Sequence, residues 1–189
     1  MKKLILLFLF INLISCKKTQ PRKPITVKSG NSREYSVDTK KTKRRLEIEN
    51  KIIKSYIKVD STNSYLNSKK GFMYSYIKKD STNNYKSKYG DALLYNYYVT
   101  DLEGNTIYNS NEIGVKSYYI DQESNIIEGL RQGLKIIKVG ENIKFIFPSQ
   151  LAYGYRGDGQ RIKPNLPIIC YVTLKELVIK ESLNRSLNK

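Results

Sequence analysis

Three stretches in the C-terminal half of the sequence decide the fold: IIEGLRQGLKIIKVGE at residues 126–141, FIFPSQLAYGYRGDG at 145–159 and KPNLPIICYVTL at 163–174. The first contains a short helical segment followed by a Val-Gly turn. The second opens with alternating apolar residues that end at Pro148, as expected for a strand, and the third starts a final strand at 168–178. One short helix among strands predicts an α+β fold, in which the helix covers the apolar face of an antiparallel sheet.

The sequence upstream of these stretches is also rich in strand-forming residues. GFMYSYI (71–77) and ALLYNYYVT (92–100) are aromatic and β-prone, and the turn-forming DLEGN precedes a short TIY strand (106–108). We therefore place one domain at residues 71–180, followed by a tail at 181–189.

The positive charge is concentrated in the first half of the chain. The sequence has 34 Lys+Arg against 17 Asp+Glu, a net charge of +17, and residues 17–89 alone carry 20 basic and 6 acidic residues. Residues 90–180 carry ten of each and are neutral. A basic protein suggests a nucleic acid, a membrane surface or an acidic partner. Because the charge precedes the domain, we interpret it as positioning the domain and expect no nucleic-acid partner.

The residue inventory excludes several kinds of chemistry. The chain has no histidine and two cysteines. A Ser-His triad, an imidazole proton shuttle and a histidine-ligated zinc site are therefore impossible, and two cysteines cannot build a four-thiolate site. We expect neither a metal nor any other cofactor.

The first sixteen residues resemble a bacterial lipoprotein signal. Two lysines precede an apolar run at residues 4–14, which is shorter than the roughly 20 residues of a spanning helix. The run ends in Leu-Ile-Ser-Cys, the order of a lipobox. We assign residues 1–15 to a signal peptide and predict a lipid anchor on Cys16; an ordinary signal peptide with a chance cysteine is the alternative. The predicted location is the cell envelope, at the outer membrane facing the periplasm, since no acidic cluster follows Cys16.

Two segments of different pattern separate the signal from the domain. Residues 16–39 are polar and contain two prolines, which is typical of a tether. From Lys40 to Lys58 apolar residues recur at helical spacing among basic ones, which predicts an amphipathic helix within a helix-and-linker segment at 40–70. We interpret this helix as packed on the domain with a solvated cationic face; a helix lying on anionic lipid headgroups is the alternative.

In order and spacing, the three quoted stretches resemble the FKBP-type peptidyl-prolyl isomerase family. The matching features are an Ile-x-Gly-x-x-x-Gly helix, a Val-Gly turn, a strand that ends in proline, and Ala-Tyr-Gly. The resemblance covers about residues 71–180 and implies a twisted antiparallel sheet wrapped around one short helix, with an apolar pocket between them. The chain also resembles the gliding-motility-associated lipoprotein isomerases of Bacteroidetes. The features that carry this second resemblance are the lipobox, the basic helix and the Gly-Phe-aromatic entry strand.

The resemblance also implies a set of pocket residues. Eight positions correspond to the family's pocket: Tyr97, Ile107, Ile126, Ile127, Leu130, Tyr153, Ile162 and Cys170. In this assignment the Ile127 amide and the Tyr153 hydroxyl hold a substrate carbonyl, and Leu130 forms the pocket floor. Three further positions are assigned to the pocket or its rim: Tyr108, Tyr119 (with Tyr118 as the alternative register) and Asp158.

The sequence departs from the family at several of these positions. Tyr108 stands where the family has the aspartate of a Phe-Asp pair, and Asp158 stands where a histidine is frequent. Ile107 and Cys170 are smaller than the aromatic residues they replace, which predicts a looser pocket. These changes bear on catalytic efficiency rather than on the fold.

The predicted activity needs no nucleophile, which suits a chain without histidine. Rotation about an X–Pro bond breaks no covalent bond, and its barrier of roughly 18–20 kcal/mol reflects lost amide resonance. The twisted state is less polar than the planar one, so an apolar pocket favours it. We predict a membrane-anchored isomerase that acts on X–Pro segments of exported proteins and assists their folding, with gliding-motility or secretion machinery as a further partner. The alternative is a non-catalytic FKBP-like binding or chaperone module of an envelope complex.

Overall fold

The computed structural model of the chain describes residues 32–80, 85–122 and 125–180, with side chains from Thr39 onward. The predicted signal peptide, Cys16, the tether up to residue 31 and the tail at 181–189 lie outside these ranges. The chain divides into two units, Met1–Lys41 and Thr42–Lys189. In the first unit the described residues are helical, and the domain discussed below is the second.

The described segments form one antiparallel sheet with short helices in its connections. The elements, in chain order, are α1 (Ser32–Val59), β1 (Leu66–Asn67), β2 (Met73–Lys78), β3 (Ala92–Thr100), β4 (Thr106–Tyr108), α2 (Ser110–Ile113), β5 (Lys116–Tyr119), α3 (Glu128–Gly133), β6 (Asn142–Phe147), a 3-10 turn (Ser149–Leu151) and β7 (Ile168–Val178). The strand order is β1-β2-β6-β7-β3-β4. Strand β5 pairs with residues 92–95 of β3, the part of that strand with which β4 does not pair. This confirms the predicted α+β fold, and the bounds of β3, β4 and β7 are those predicted from the sequence.

Helix α3 lies so close to the sheet that a side chain at Gly129 would clash with it. A Cβ added at Gly129 would stand 2.5 Å from the Phe147 ring, and one at Gly133 would stand 3.1 Å from Phe145. The two glycines are four residues apart and therefore share one face of the helix, while the two phenylalanines share one face of β6. The spacing of the Ile-x-Gly-x-x-x-Gly motif thus follows from close helix–sheet packing.

The sheet is covered on both faces. One face carries the main core around α3, which includes Phe145, Phe147 and Cys170, all with no exposed surface. On the other face Ile146 and Ile169 pack against Ile53 of α1. The two faces are occupied by alternate residues of the same strands, because successive side chains of a strand point in opposite directions.

Polar contacts fix α1 on this second face. The Glu49 carboxylate is buried and accepts hydrogen bonds from the Ser149 backbone N–H and from the Ser149 hydroxyl, the latter at 2.7 Å. Lys144 of β6 lies beneath α1 and donates to Asp60, with 2.6 Å between Nζ and Oδ2. These contacts agree with the interpretation of α1 as a helix packed on the domain.

The start of α1 corrects one sequence expectation. The helix begins at Ser32, whereas we placed residues 32–39 in the tether and began the helix at Lys40. This stretch contains no proline or glycine, and its serine, threonine and aspartate lower helix propensity without interrupting a helix. None of the described helices is long and apolar enough to cross a membrane.

Candidate active site

A cavity of about 420 Å³ opens between the end of β3, the β4–α2 segment and the loop that precedes β7. Four of the predicted residues line it: Tyr97, Tyr108, Tyr153 and Asp158. The remaining apolar residues of the prediction belong to the core on which these side chains rest. Leu130, Ile162 and Cys170 are buried in that core, and Ile107, Ile126 and Ile127 are partly buried against it. Of the eight residues of the main prediction, two line this cavity and the other six belong to the main core cluster or pack against it.

Tyr97 and Tyr153 supply the hydroxyl groups of the cavity. Within the described part of the chain, neither hydroxyl makes a hydrogen bond. Burial, followed by the neighbouring Cys170, raises the pKa of Tyr97 to about 12. Burial and the nearby Tyr97 likewise raise the pKa of Tyr153 above its ordinary value. Both hydroxyls are therefore protonated at neutral pH and can donate to a ligand carbonyl.

The Cys170 thiol is a packing group. It lies on β7 opposite Val99 and Phe145 and has no exposed surface. Burial raises its pKa well above the ordinary value, which removes the thiolate needed for nucleophilic attack. Among the described residues, no three histidine, cysteine or acidic side chains come together as a metal site.

The rim of the cavity is closed by a hydrogen bond between two of the residues that depart from the family. The Tyr108 hydroxyl donates to Asp158 Oδ2 at 2.5 Å. The other oxygen of Asp158 accepts from the backbone N–H groups of Gln160 and Ile162, at 2.8 and 2.9 Å. Burial alone would raise the pKa of the Asp158 carboxyl, but these donors outweigh it and lower the pKa. One carboxylate therefore both shapes the overhanging loop and joins it to β4.

Sequence reasoning missed a second rim contact, between Arg161 and Glu112. The Arg161 guanidinium donates to both carboxylate oxygens of Glu112 and to the Ile107 carbonyl oxygen, the last at 2.9 Å. It also lies over the Tyr108 ring, 4.9 Å from the ring centre. The two charged residues are 49 positions apart in the chain, so no local spacing could have paired them.

The assignment of Tyr119 is corrected. Tyr118 has no exposed surface and belongs to the main core, whereas Tyr119 is 38% exposed and lies outside the cavity. The cause is the register of β5, in which Tyr118 pairs with Leu93 and Tyr119 with Ala92. A one-residue difference in register exchanges the two faces of a strand, and an aromatic pair gives no signal that would fix it.

The arrangement contains no nucleophile and no metal site within the described residues, so the chemistry it suits is non-covalent. The cavity sets Val99 and Ile113 among polar side chains, its tyrosine hydroxyls are protonated, and the Cys170 thiol beneath it is inert. Such a pocket can desolvate a prolyl bond and hold a neighbouring carbonyl while the bond rotates.

Comparison with known proteins gives the family. The model of the FKBP-type peptidyl-prolyl cis-trans isomerases matches residues 83–175. FK506-binding protein 2 of Dictyostelium discoideum is 35% identical over 89 residues, which is 47% of this chain and 67% of that protein. Peptidyl-prolyl cis-trans isomerase FKBP10 of Mus musculus is 34% identical over 71 residues, which is only 12% of its length.

Solved structures agree with this assignment. FkpA from Escherichia coli superposes with a TM-score of 0.58 at 27% identity, covering 78% of this chain and 67% of FkpA. A peptidyl-prolyl cis-trans isomerase from Pseudomonas syringae shares the fold, with a TM-score of 0.59 at 18% identity over 73% of this chain and 96% of that one. The chain belongs to the FKBP-type peptidyl-prolyl cis-trans isomerase family.

Proposed function

We propose that this isomerase is held at a membrane of the cell envelope by a lipid on Cys16 and acts on X–Pro bonds of exported proteins. The observation that carries the location is the Leu-Ile-Ser-Cys sequence at the end of a short apolar run. A cationic segment follows it, and basic segments next to a lipid anchor favour anionic headgroups. Uncatalysed prolyl isomerisation takes tens to hundreds of seconds, so exported chains benefit from a catalyst where they fold.

The anchor is tested by metabolic labelling with an alkyne fatty acid in a bacterium that processes lipoproteins. The two cysteines of the chain supply a matched pair of variants. We expect the wild-type chain and Cys170→Ala to carry the label and to sediment with membranes, and Cys16→Ala to do neither. Label that persists in Cys16→Ala, or is absent from the wild type, contradicts the anchor.

The action on exported proteins is tested by refolding. A secreted protein whose slow folding phase is limited by X–Pro isomerisation is refolded with the chain from Lys17 onward, which retains every described residue. We expect the slow phase to accelerate in proportion to isomerase concentration. Ile126→Asp, which places a charge beside the pocket core, removes the acceleration. Reduced aggregation with an unchanged slow phase favours the non-catalytic chaperone alternative.

A role in gliding-motility or secretion machinery is the most specific part of the proposal, and it rests on resemblance alone. It predicts that deleting the gene in a gliding bacterium that encodes this chain slows the spreading of colonies. The wild-type gene restores spreading and the Ile126→Asp gene does not. Normal spreading of the deletion strain removes this part of the proposal and leaves the isomerase assignment intact.

A further inference from the structure

A second cavity, of about 480 Å³, lies beside the active site. It is bounded by Arg45 of α1, by the segment from Ser149 to Arg156 and by Asn165. Tyr153 lines both this cavity and the active-site cavity, so the two cavities share one wall residue. We call it the Arg45 cavity.

The Arg45 cavity contains polar atoms that lack partners. Arg45 Nε and Asn165 Oδ1 are both buried and make no hydrogen bond within the described part of the chain. A buried polar atom without a partner costs free energy, which a ligand recovers once the side chain turns that atom towards the cavity. One of these atoms is a donor on a cation and the other is an acceptor.

Two arginines give the cavity a positive charge, and neither of them forms an ion pair within the described residues. No described carboxylate lies within ion-pair distance of Arg45 or Arg156. The nearest turn of α1 offers Glu49, but both of its oxygens are engaged by Ser149. The Arg156 Nε donates only to the Tyr155 hydroxyl, at 2.9 Å, and its side chain is exposed.

We propose that the Arg45 cavity binds an acidic side chain of the polypeptide whose prolyl bond occupies the active site. A peptide provides both missing partners: a carboxylate for Arg45 and a main-chain N–H for Asn165 Oδ1. Inorganic phosphate offers Arg45 the same charge but no continuation into the active site, and the test below separates the two ligands. An extended chain advances about 3.3–3.6 Å per residue, so a residue two to four positions from the proline lies about 7–14 Å away, which is the range that the test below samples.

This inference rests on the proposed action on X–Pro segments and adds a preference among them. At the active-site rim Arg161 is already paired with Glu112, and Lys116, which also lines that cavity, is the other cation from which the Arg45 variant must separate the preference. Arg45 comes from α1, which precedes the residues matched by the family model. The preference is therefore expected to be a property of this chain and its helix.

The test uses the chain from Lys17 onward and labelled peptides that contain one proline. Glutamate or glutamine is placed at two, three or four residues on either side of that proline. We measure kcat/KM for cis–trans exchange and, separately, Kd by fluorescence anisotropy. At one or more positions glutamate is expected to raise kcat/KM and affinity about fivefold over glutamine, the order expected of a charge-assisted hydrogen bond at a partly exposed site.

Two arginine variants and one lysine variant identify the source of the preference. Arg45→Gln is expected to bring the glutamate and glutamine peptides within about twofold, and Arg156→Gln to reduce the gap by less. Lys51→Gln removes the same charge from an exposed position of α1 and is expected to keep the gap. If Arg45→Gln unfolds, Arg156→Gln on the surface loop still decides the question.

The outcomes separate this inference from the proposed function. Equal kcat/KM for glutamate and glutamine at every position overturns the inference while leaving the isomerase intact. A glutamate preference in Kd without any exchange supports the Arg45 cavity and contradicts catalysis. Loss of the preference in Lys51→Gln, or Arg45-dependent binding of inorganic phosphate without a glutamate preference, also overturns the inference.

Discussion

The two faces of the sheet use the same kinds of residue for different purposes. On the α1 face, Asp60 accepts hydrogen bonds from four side chains: Thr62, Asn63, Tyr65 and Lys144. The Lys144 ammonium is in turn surrounded by three tyrosine rings, whose centres lie 5.0–5.6 Å away. On the pocket face the hydroxyls of Tyr97 and Tyr153 have no partner within the described chain. The polar groups around Lys144 are thus satisfied within the protein, whereas two hydroxyls of the pocket are left for a ligand.

The comparison shows why residue type alone does not reveal function. A buried charge next to aromatic rings could pass for a binding site. Here the Lys144 side chain is only 5% exposed and its partner Asp60 only 12%. A ligand cannot reach them, so their contribution is to hold the helix end, β6 and the following loop together.

The largest expected effect is the loss of the buried ion pair. Asp60→Ala leaves Lys144 buried and uncompensated, which costs about 3–5 kcal/mol in the free energy of unfolding. Urea denaturation of the two proteins measures it. As a control on the pocket face, Glu112→Ala breaks the exposed pair with Arg161 and is expected to change the urea midpoint far less than Asp60→Ala. Equal losses for the two variants contradict the distinction between the faces.

The next effect concerns the approach of α3 to the sheet. Gly129→Ala forces a Cβ against the Phe147 ring and is expected to cost about 1–3 kcal/mol of stability. Gly133→Ala meets Phe145 at a longer distance and gains helix propensity, so its net effect is expected to lie within about 1 kcal/mol of zero. The same denaturation measurement ranks the two. If Gly133→Ala lost as much stability as Gly129→Ala, the close approach of helix and sheet would not be confined to Phe147.

A smaller effect is expected when one unpartnered hydroxyl is removed. Tyr153→Phe should lower kcat/KM for X–Pro exchange about fivefold, the value of one hydrogen bond made to substrate. It should leave the urea midpoint unchanged, since the hydroxyl has no described partner to lose. Tyr119→Phe, which removes a hydroxyl outside the cavity, is the matched control and should match wild type in both measurements.

The smallest expected effect is that of pH. With the pKa of Tyr97 raised to about 12 and that of Tyr153 raised as well, both hydroxyls remain protonated through the neutral range. The pKa of Asp158 is lowered, so its carboxylate remains ionised there. We expect kcat/KM to change by less than about twofold between pH 6 and 9, because no group of the site titrates in that interval. A bell-shaped profile in this range would require a proton-transfer step that the site does not contain.

Acid should instead act on the α1 face. Burial alone would raise the pKa of Asp60, but the donors around it outweigh burial, and its folded-state pKa lies below that of the unfolded chain. Its contribution to stability is therefore complete above the unfolded value of about 4 and is lost as the pH falls towards the folded value. Asp60→Asn should remove that part of the acid dependence in urea midpoints taken from pH 5 downwards. An unchanged acid profile in Asp60→Asn would assign the dependence to other carboxylates.

Much of the fold and the centre of the site could be predicted from the sequence, because their signals are local. β-Propensity predicted the bounds of β3, residues sharing one face predicted β7, and the spacing of the two glycines in α3 indicated that the helix packs closely on the sheet. The contacts that could not be predicted are those between distant segments. Tyr108 and Asp158 are 50 positions apart, and the burial of Lys144 depends on a helix that precedes the domain. Tyr118 and Tyr119 are adjacent residues of the same type, so the sequence does not indicate which of them faces the core. Only the register of β5 decides it.

The most direct test of the account is the rate of X–Pro exchange in a short peptide, measured by NMR exchange spectroscopy with the chain from Lys17 onward. The account predicts that catalytic amounts of the wild-type chain and of Tyr119→Phe accelerate exchange equally, that Tyr153→Phe is slower, and that Ile126→Asp gives the uncatalysed rate. Peptide binding by the wild-type chain with exchange at the uncatalysed rate would contradict it.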